Sequence, residues 1–259
     1  MNPFSDEHIE ILKNKFFTYA ESFFSDNKDI HDHILLKRDH TIRVCNEMEN
    51  LTMQMGLSQQ EKTLACIIAL FHDLGRFAQY FKYQTFDDNK SVNHAELSVK
   101  TLQSDGFLET IPPENHEIIF KTIQNHNLPY LEMAESDEII FYSKLLRDAD
   151  KLDIWYVITN EELRKVIEQK EEEKIYQVPD SIYQQFLNRE FVSLNLVSND
   201  NDMRLLRISW IFDINFKETV KEIKRRNLIQ KIVDLIPESE RKKEIETIVF
   251  GYIEEKIGA

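Results

Sequence analysis

The chain has 259 residues, and its 32 Lys+Arg against 46 Asp+Glu leave a formal charge of −14. A chain of this length buries roughly 70–75% of the surface it exposes when unfolded, so it needs no staples to support a core. With 42% apolar and 30% charged residues it is not wholly disordered either. The acidic balance argues against nonspecific grip on nucleic acid or anionic lipid, which reward a basic protein.

The two cysteines, Cys45 and Cys66, both lie in apolar periodic stretches, and the start MNPFSDEHIE has no apolar core of a secretion signal. The cytoplasm is therefore the expected compartment. The longest strongly apolar run, Ala65 to Phe71, is far shorter than the roughly 20 residues a spanning helix requires, so no membrane partner is expected.

Five glycines, six prolines and frequent i, i+3, i+4 apolar spacing predict an all-α fold. The first helix is expected over about Asp6 to Phe24, where Ile9, Leu12, Phe16, Phe17, Ala20 and Phe24 share a face. A second runs from about Asp32 through Met55, with Gly56 as its stop. In the third, Ser58 and Glu61 fit a capping box, and the apolar stretch Leu64 to Phe71 ends in His72-Asp73-Leu74-Gly75.

Gln79 to Asn89, rich in aromatics and polar turn formers, reads as a loop before a helix from about Val92 to Ser104, which Gly106 closes. Pro112 and Pro113 suit the first turn of a helix running to about His126, and another begins near Ser136. The charged run Glu161 to Lys174 reads as a solvated face or connection. Further helices are expected over Asp180 to Arg189, Met203 to Phe212, Phe216 to Arg226 and after Pro237. The simplest organisation is a helical domain over 1–160 with a C-terminal helical extension over 161–259 packed on it.

Eight histidines are present. His8, His31, His33 and His116 read as surface or capping residues, and taken alone His126 does too. His40 is different, because it falls on the apolar face of its helix. His72 is followed at once by Asp73 at a helix end, and His94 opens another helix. An imidazole beside a carboxylate at a buried helix end loses hydration and needs partners. A divalent ion satisfies both groups, and the absence of suitably spaced cysteines argues against a thiolate zinc site. Aromatics Trp155, Tyr156, Trp210 and Phe212 sit at helical spacing, which suits core packing better than a nucleobase pocket.

Three segments together resemble the HD-domain superfamily of metal-dependent phosphohydrolases: Asp39-His40-Thr41-Ile42-Arg43-Val44, Leu70-Phe71-His72-Asp73-Leu74-Gly75-Arg76 and Arg147-Asp148-Ala149-Asp150-Lys151-Leu152-Asp153. The similarity covers roughly Asp32 to Trp155. It implies a helical bundle in which His40, His72, Asp73 and Asp150 are the primary metal ligands. Asp150 is preferred over Asp148 because it follows an apolar residue and precedes a basic-Leu pair; Asp148 and Asp153 then become outer or capping groups. Asn93-His94-Ala95-Glu96 and Gln124-Asn125-His126-Asn127 extend the match and make His94 and His126 candidate ligands of a second ion, with Asp73 bridging.

The resemblance implies one or two divalent ions per chain (Mn, Mg, Co, Ni or Fe). It also implies hydrolysis of a small phosphorylated substrate, a phosphate ester or nucleotide, by a metal-activated water. Arg76 and Lys151 are the cations expected near the anionic substrate, with Glu96 as a candidate acid or base. Two rivals remain open: a di-iron oxygenase of the same superfamily, which shares the four-histidine, two-aspartate pattern, and a noncatalytic module that senses a nucleotide. A homo-oligomer is compatible with either.

Overall fold

A computed structural model describes residues 6–131, 134–160 and 180–258. The chain divides into two compact units, Met1–Asp153 and Ile154–Ala259. Among the described residues the fold is all-α, and no helix is long and apolar enough to cross a membrane. The charged run expected over Glu161 to Lys174 lies outside the described residues.

In the first unit, α1 (Asp6–Glu21), α2 (Lys28–Gln54) and α3 (Gln59–Phe71) pack together, followed by α4 (Gly75–Tyr83), α5 (His94–Ser104) and α6 (His116–Asn125). The last helix, α7 (Asp137–Thr159), carries the third motif. The helix α3 is the centre of the arrangement. Leu64, Ala65, Ile67, Ile68, Ala69, Leu70 and Phe71 are all buried, so its second half meets water only at the half-buried Cys66. A helix that is apolar all round belongs in an interior, and it carries whatever follows it inside as well. Its start is set by the capping box: the Ser58 amide donates to Glu61 Oε2 at 2.7 Å, and Ser58 Oγ accepts from the Glu61 amide at 3.4 Å.

The helix α2 buries Ile34, Thr41, Val44, Met48 and Leu51 along one stripe against α3, with His40 at the edge of that stripe. Asn27 caps it by accepting from the amides of Asp29 and Ile30. Asn93 does the same for α5, accepting from Ala95 and Glu96.

Three expectations need correction here. Gln79 to Tyr83 is not loop but the second half of α4, which buries Phe77, Gln79 and Tyr80 and ends only at Gln84, a left-handed residue with φ 51°. What looked like a turn-former, Gln79, is a buried side chain bonded to the segment that follows the helix. His8, read as surface, is buried at 2% exposure, with its Nε2 3.2 Å from Thr110 Oγ1. His33 is half-buried and stacks on Tyr80 at 4.3 Å.

In the second unit, α8 (Asp180–Leu187), α9 (Asp200–Ser209), α10 (Lys217–Arg225), α11 (Leu228–Val233) and α12 (Glu240–Gly258) pack on one another. The helix α11 had no counterpart in the sequence reading. Asn227, at φ 53°, breaks what otherwise runs on from α10. Trp155 is fully buried and donates from Nε1 to the Arg207 carbonyl at 2.9 Å, while Phe212 packs between Phe186 and Tyr252. These aromatics are packing groups, and Tyr156 is exposed.

Gly75 is where the first unit is tightest. A Cβ built on it would lie 2.5 Å from the His94 carbonyl oxygen and 2.7 Å from the Ser98 amide nitrogen, both backbone atoms that cannot swing away. Gly75→Ala is expected to lower the stability to unfolding by about 1–3 kcal/mol through overpacking at the α4–α5 crossing. A denaturant titration with the wild-type slope and an unchanged midpoint would contradict this close approach.

Candidate functional site

His72 is the residue after α3 and Asp73 follows it, so both are buried, at 0% and 3% exposure, because α3 carries them into the interior. Around them stand His40 from α2, His94 at the start of α5, His126 just after α6 and Asp150 from α7. Each of these was expected from the sequence, and the structure brings all six together.

The orientation of the four imidazoles is fixed from behind. His40 Nδ1 lies 2.6 Å from Asp153 Oδ2, His72 Nδ1 2.8 Å from the Ala69 carbonyl, His94 Nδ1 2.7 Å from Asp88 Oδ2, and His126 Nδ1 2.6 Å from the Ile123 carbonyl. Carbonyls and carboxylates only accept, so in every ring Nδ1 carries the proton. In the neutral ring Nε2 is then a bare lone pair.

All four Nε2 atoms face the two carboxylates. Asp73 Oδ2 is 3.5 Å from His40 Nε2 and 3.6 Å from His72 Nε2, while Asp73 Oδ1 is 3.4 Å from His94 Nε2 and 3.8 Å from His126 Nε2. Asp150 Oδ1 lies 3.2 Å from His40 Nε2 and 3.9 Å from His72 Nε2. The Nε2 atoms of His94 and His126 are 3.0 Å apart. Asp73 therefore stands between two half-sites, one oxygen toward each.

Those of His40 and His72 are buried with no hydrogen-bond partner, which is an unstable arrangement for polar atoms unless a cation completes it. Donor atoms about 2.1 Å from a shared ion lie roughly 3.0–3.4 Å from one another, close to the separations here. His40, His72 and Asp150 form one group with converging ligand atoms, and His72, Asp73 and His126 form another. The residues present thus fit a divalent ion.

The electrostatics say the same. Burial and Lys37 both disfavour charge on His40, yet Asp150, Asp153 and Asp73 outweigh them and push its pKa up to about 10. Burial pulls down the pKa values of His72 and His94, and it takes His126 to about 3 with help from its neighbours His94 and His72. Asp73 and Asp150 stay ionised despite their burial, held by Lys37, His72, His40 and Arg76 for the first and by His40 and His72 for the second. The pocket calls for positive charge at the carboxylates, which a protonated His40 supplies in the absence of an ion, and for neutral imidazoles at His72, His94 and His126.

Of the remaining expected residues, Arg76 is present, with Nε 3.5 Å from Asp73 Oδ1 and Nη1 bonded to Gln79, the Phe86 carbonyl and Asp88. Lys151 is buried, one residue on from Asp150 and so about 100° round α7 from it. Glu96 is exposed in the first turn of α5 and makes no hydrogen bond or ion pair with the cluster. Its dipole-favoured position explains it without an acid-base role.

The sequence reading missed Lys37 and Asp88. Lys37 Nζ is 2.7 Å from Asp73 Oδ2, and its spacing one turn before His40 on α2 was the available signal. Asp88, which orients His94, also accepts from Arg76, Gln79 and Asn127. It sat in a segment read as loop, where a carboxylate carries no positional information.

Residues 38–155 match the family model described as HD domain. Over this stretch the chain carries an HD domain. The matched stretch of the HD domain contains every residue of the cluster except Lys37, and the family is of metal-dependent phosphohydrolase type. No curated protein and no solved structure matches the chain.

The lowered histidines make the HD domain acid-sensitive. An unfolded histidine takes its proton near pH 6.5, and His72, His94 and His126 resist it when folded, so the stability they contribute is present above 6.5 and lost as pH falls below it, for His126 down to about 3. His40 has the opposite sign: its contribution is full below 6.5 and lost as pH rises through about 10. In chelator-treated protein the urea midpoint is expected to fall between pH 6.5 and 5, above the range where carboxylates titrate. His126→Gln should flatten that slope. An equal slope in the variant would show that His126 does protonate freely in the fold.

Proposed function

We propose that the chain is a metal-dependent phosphohydrolase that cleaves a small phosphate ester or nucleotide. The observation that carries this reading is the convergence of four Nε2 lone pairs, each fixed by an acceptor behind Nδ1, on Asp73 and Asp150. His40, His72, Asp73 and Asp150 would hold one divalent ion; the other oxygen of Asp73, with His94 and His126, would hold a second. When bound, such ions supply Lewis-acid polarisation of a phosphoryl oxygen and lower the pKa of water toward neutrality.

The protein's own residues do the rest. Asp153 and Asp88 keep His40 and His94 in the tautomer that presents Nε2, and the carbonyls of Ala69 and Ile123 do so for His72 and His126. Asp73, ionised and buried, aligns the two half-sites. Arg76 offers fixed positive charge beside Asp73, where charge spreading over phosphoryl oxygens during transfer would be stabilised. Burial of the cluster, with His72 at 0% and His126 at 8% exposure, limits bulk water around the reacting group.

Elemental analysis of anaerobically purified protein, combined with a phosphoester and nucleotide panel in several divalent ions, tests the proposal. Ion-dependent phosphate release that Asp73→Ala abolishes, with helical content preserved, is the expected result. Oxygen consumption with bound iron and no phosphate release would replace the reading with the oxygenase. Absence of both metal and turnover would replace it with the sensor.

The orienting carboxylates give a sharper expectation. Asp153→Asn keeps the shape but can turn an amide N–H toward His40 Nδ1, and it should weaken metal affinity about 10- to 100-fold with little change in circular dichroism. Unchanged affinity in that variant would remove the argument from imidazole orientation.

A further inference from the structure

Arg76 has two edges in different states. Its Nη1 is spent on Gln79 Oε1 at 2.9 Å, the Phe86 carbonyl at 2.6 Å and Asp88 Oδ1 at 3.1 Å. Its Nε is buried without a hydrogen-bond acceptor, and its Nη2 makes no hydrogen bond among the described residues. The Nε/Nη2 edge of a guanidinium is the fork that binds two oxygens of one anion, and here that fork is held in place without a hydrogen bond, its Nε in a long ion pair with Asp73 Oδ1 at 3.5 Å.

Lys37 stands on the other oxygen of the same carboxylate. Its ammonium gives one donor to Asp73 Oδ2 at 2.7 Å, an ammonium has three, and the side chain is 18% exposed. The half-buried ring of Phe86 joins the two cations, with Lys37 Nζ 5.4 Å and Arg76 Cζ 5.6 Å from its centroid. The ring itself is braced by Tyr80, 4.6 Å away, whose hydroxyl donates to Asp29. Lys37 pairs with Asp73, while Arg76 is shared between Asp73 and Asp88, so two cations flank the Asp73 carboxylate in a protein of net charge −14.

We propose that Lys37 and Arg76, set on either oxygen of Asp73 and spanned by Phe86, form an oxyanion subsite for a terminal phosphate, the dianionic group of a phosphate monoester. The proposal rests on the phosphohydrolase reading and narrows it to monoesters. Arg76 takes two non-bridging oxygens through its fork, and Lys37 takes the third. A diester has only two such oxygens and one charge, so Lys37 is the residue that separates the classes. It is a binding residue, with no proton or bond of its own to move.

The test uses the full-length protein as purified, with its metal content measured, and titrates inorganic phosphate or dimethyl phosphate by calorimetry. Wild type is expected to bind inorganic phosphate more tightly than dimethyl phosphate. Lys37→Met should lose about 10- to 100-fold in phosphate affinity, the range for removing one charge-assisted hydrogen bond, with unchanged metal content. Lys37→Arg should recover most of the loss. The subsite is overturned by no phosphate binding in wild type, by equal affinity for the two anions, or by equal affinity in wild type and Lys37→Met. It is also overturned if Lys37→Met loses metal, which would make Lys37 only the counter-ion of Asp73. Absence of metal from wild type sinks the phosphohydrolase reading instead, while the phosphate titration still decides the subsite.

Discussion

Everything in the first unit depends on four imidazole protons being held on the outer nitrogen. The anchors are of two kinds, and helix geometry explains the division. His72 and His126 each occupy the position just beyond a helix, α3 and α6, where the last carbonyls have no intrahelical donor. Each ring turns back and donates Nδ1–H to the carbonyl three residues earlier, Ala69 or Ile123. One bond thereby caps a helix and sets a tautomer. His40 lies inside α2, where the carbonyls of the preceding turn are already committed to the helix, and His94 opens α5, with no turn of that helix before it. Those two rings need acceptors from elsewhere in the chain, and Asp153 and Asp88 provide them.

A carboxylate used in this way must itself stay ionised in a buried place. Asp153 is 1% exposed and is held by a two-pronged Arg43, whose Nε and Nη2 reach its two oxygens at 2.6 and 3.1 Å. Asp88 pairs with His94 and is held by Arg76 and Gln79, which against its burial keep its pKa well below the usual carboxylate range, and it also accepts from Asn127. The stack of dependencies therefore runs outward from Nε2 through the ring to a carboxylate and then to a guanidinium or amide. Breaking an outer link leaves the imidazole present but free to turn, which is why orientation and not the number of imidazoles is the demanding part of the site.

The sequence carried the inner layer of this stack better than the outer one. Helix starts and stops rest on local chemistry, so the Ser58–Glu61 capping box and the end of α3 at His72-Asp73 were legible directly. The six clustered residues were legible through motif resemblance, and so was the preference for Asp150, since it is this aspartate that faces His40 and His72. Asp153 was assigned an outer or capping role, and it supports His40. What failed was any role created by long-range packing. Lys37 sits in a run, Leu36-Lys37-Arg38-Asp39, that reads as an ordinary charged helix face, and only the depth of Asp73 turns one of those charges inward. Gln79 looked like a turn residue for the same reason: its amide is buried because Asp88, Ser91 and Val92 fold back onto it.

Gly75 shows how the two half-sites are kept in register. The turn that carries His72 and Asp73 enters α4 at Gly75, and the amide of that residue donates to Ser98 Oγ at 2.8 Å. Ser98 in turn donates to the His94 carbonyl at 2.9 Å. The backbone that bears Asp73 is thus tied to the backbone that bears His94 through one hydroxyl, at an approach only a residue without Cβ permits. Since the shared carboxylate must reach imidazoles on both sides, the small side chain after the motif is a requirement of the site as much as of packing. That places the glycine of His72-Asp73-Leu74-Gly75 among the residues on which the geometry of the cluster depends, although its own side chain takes no part in it.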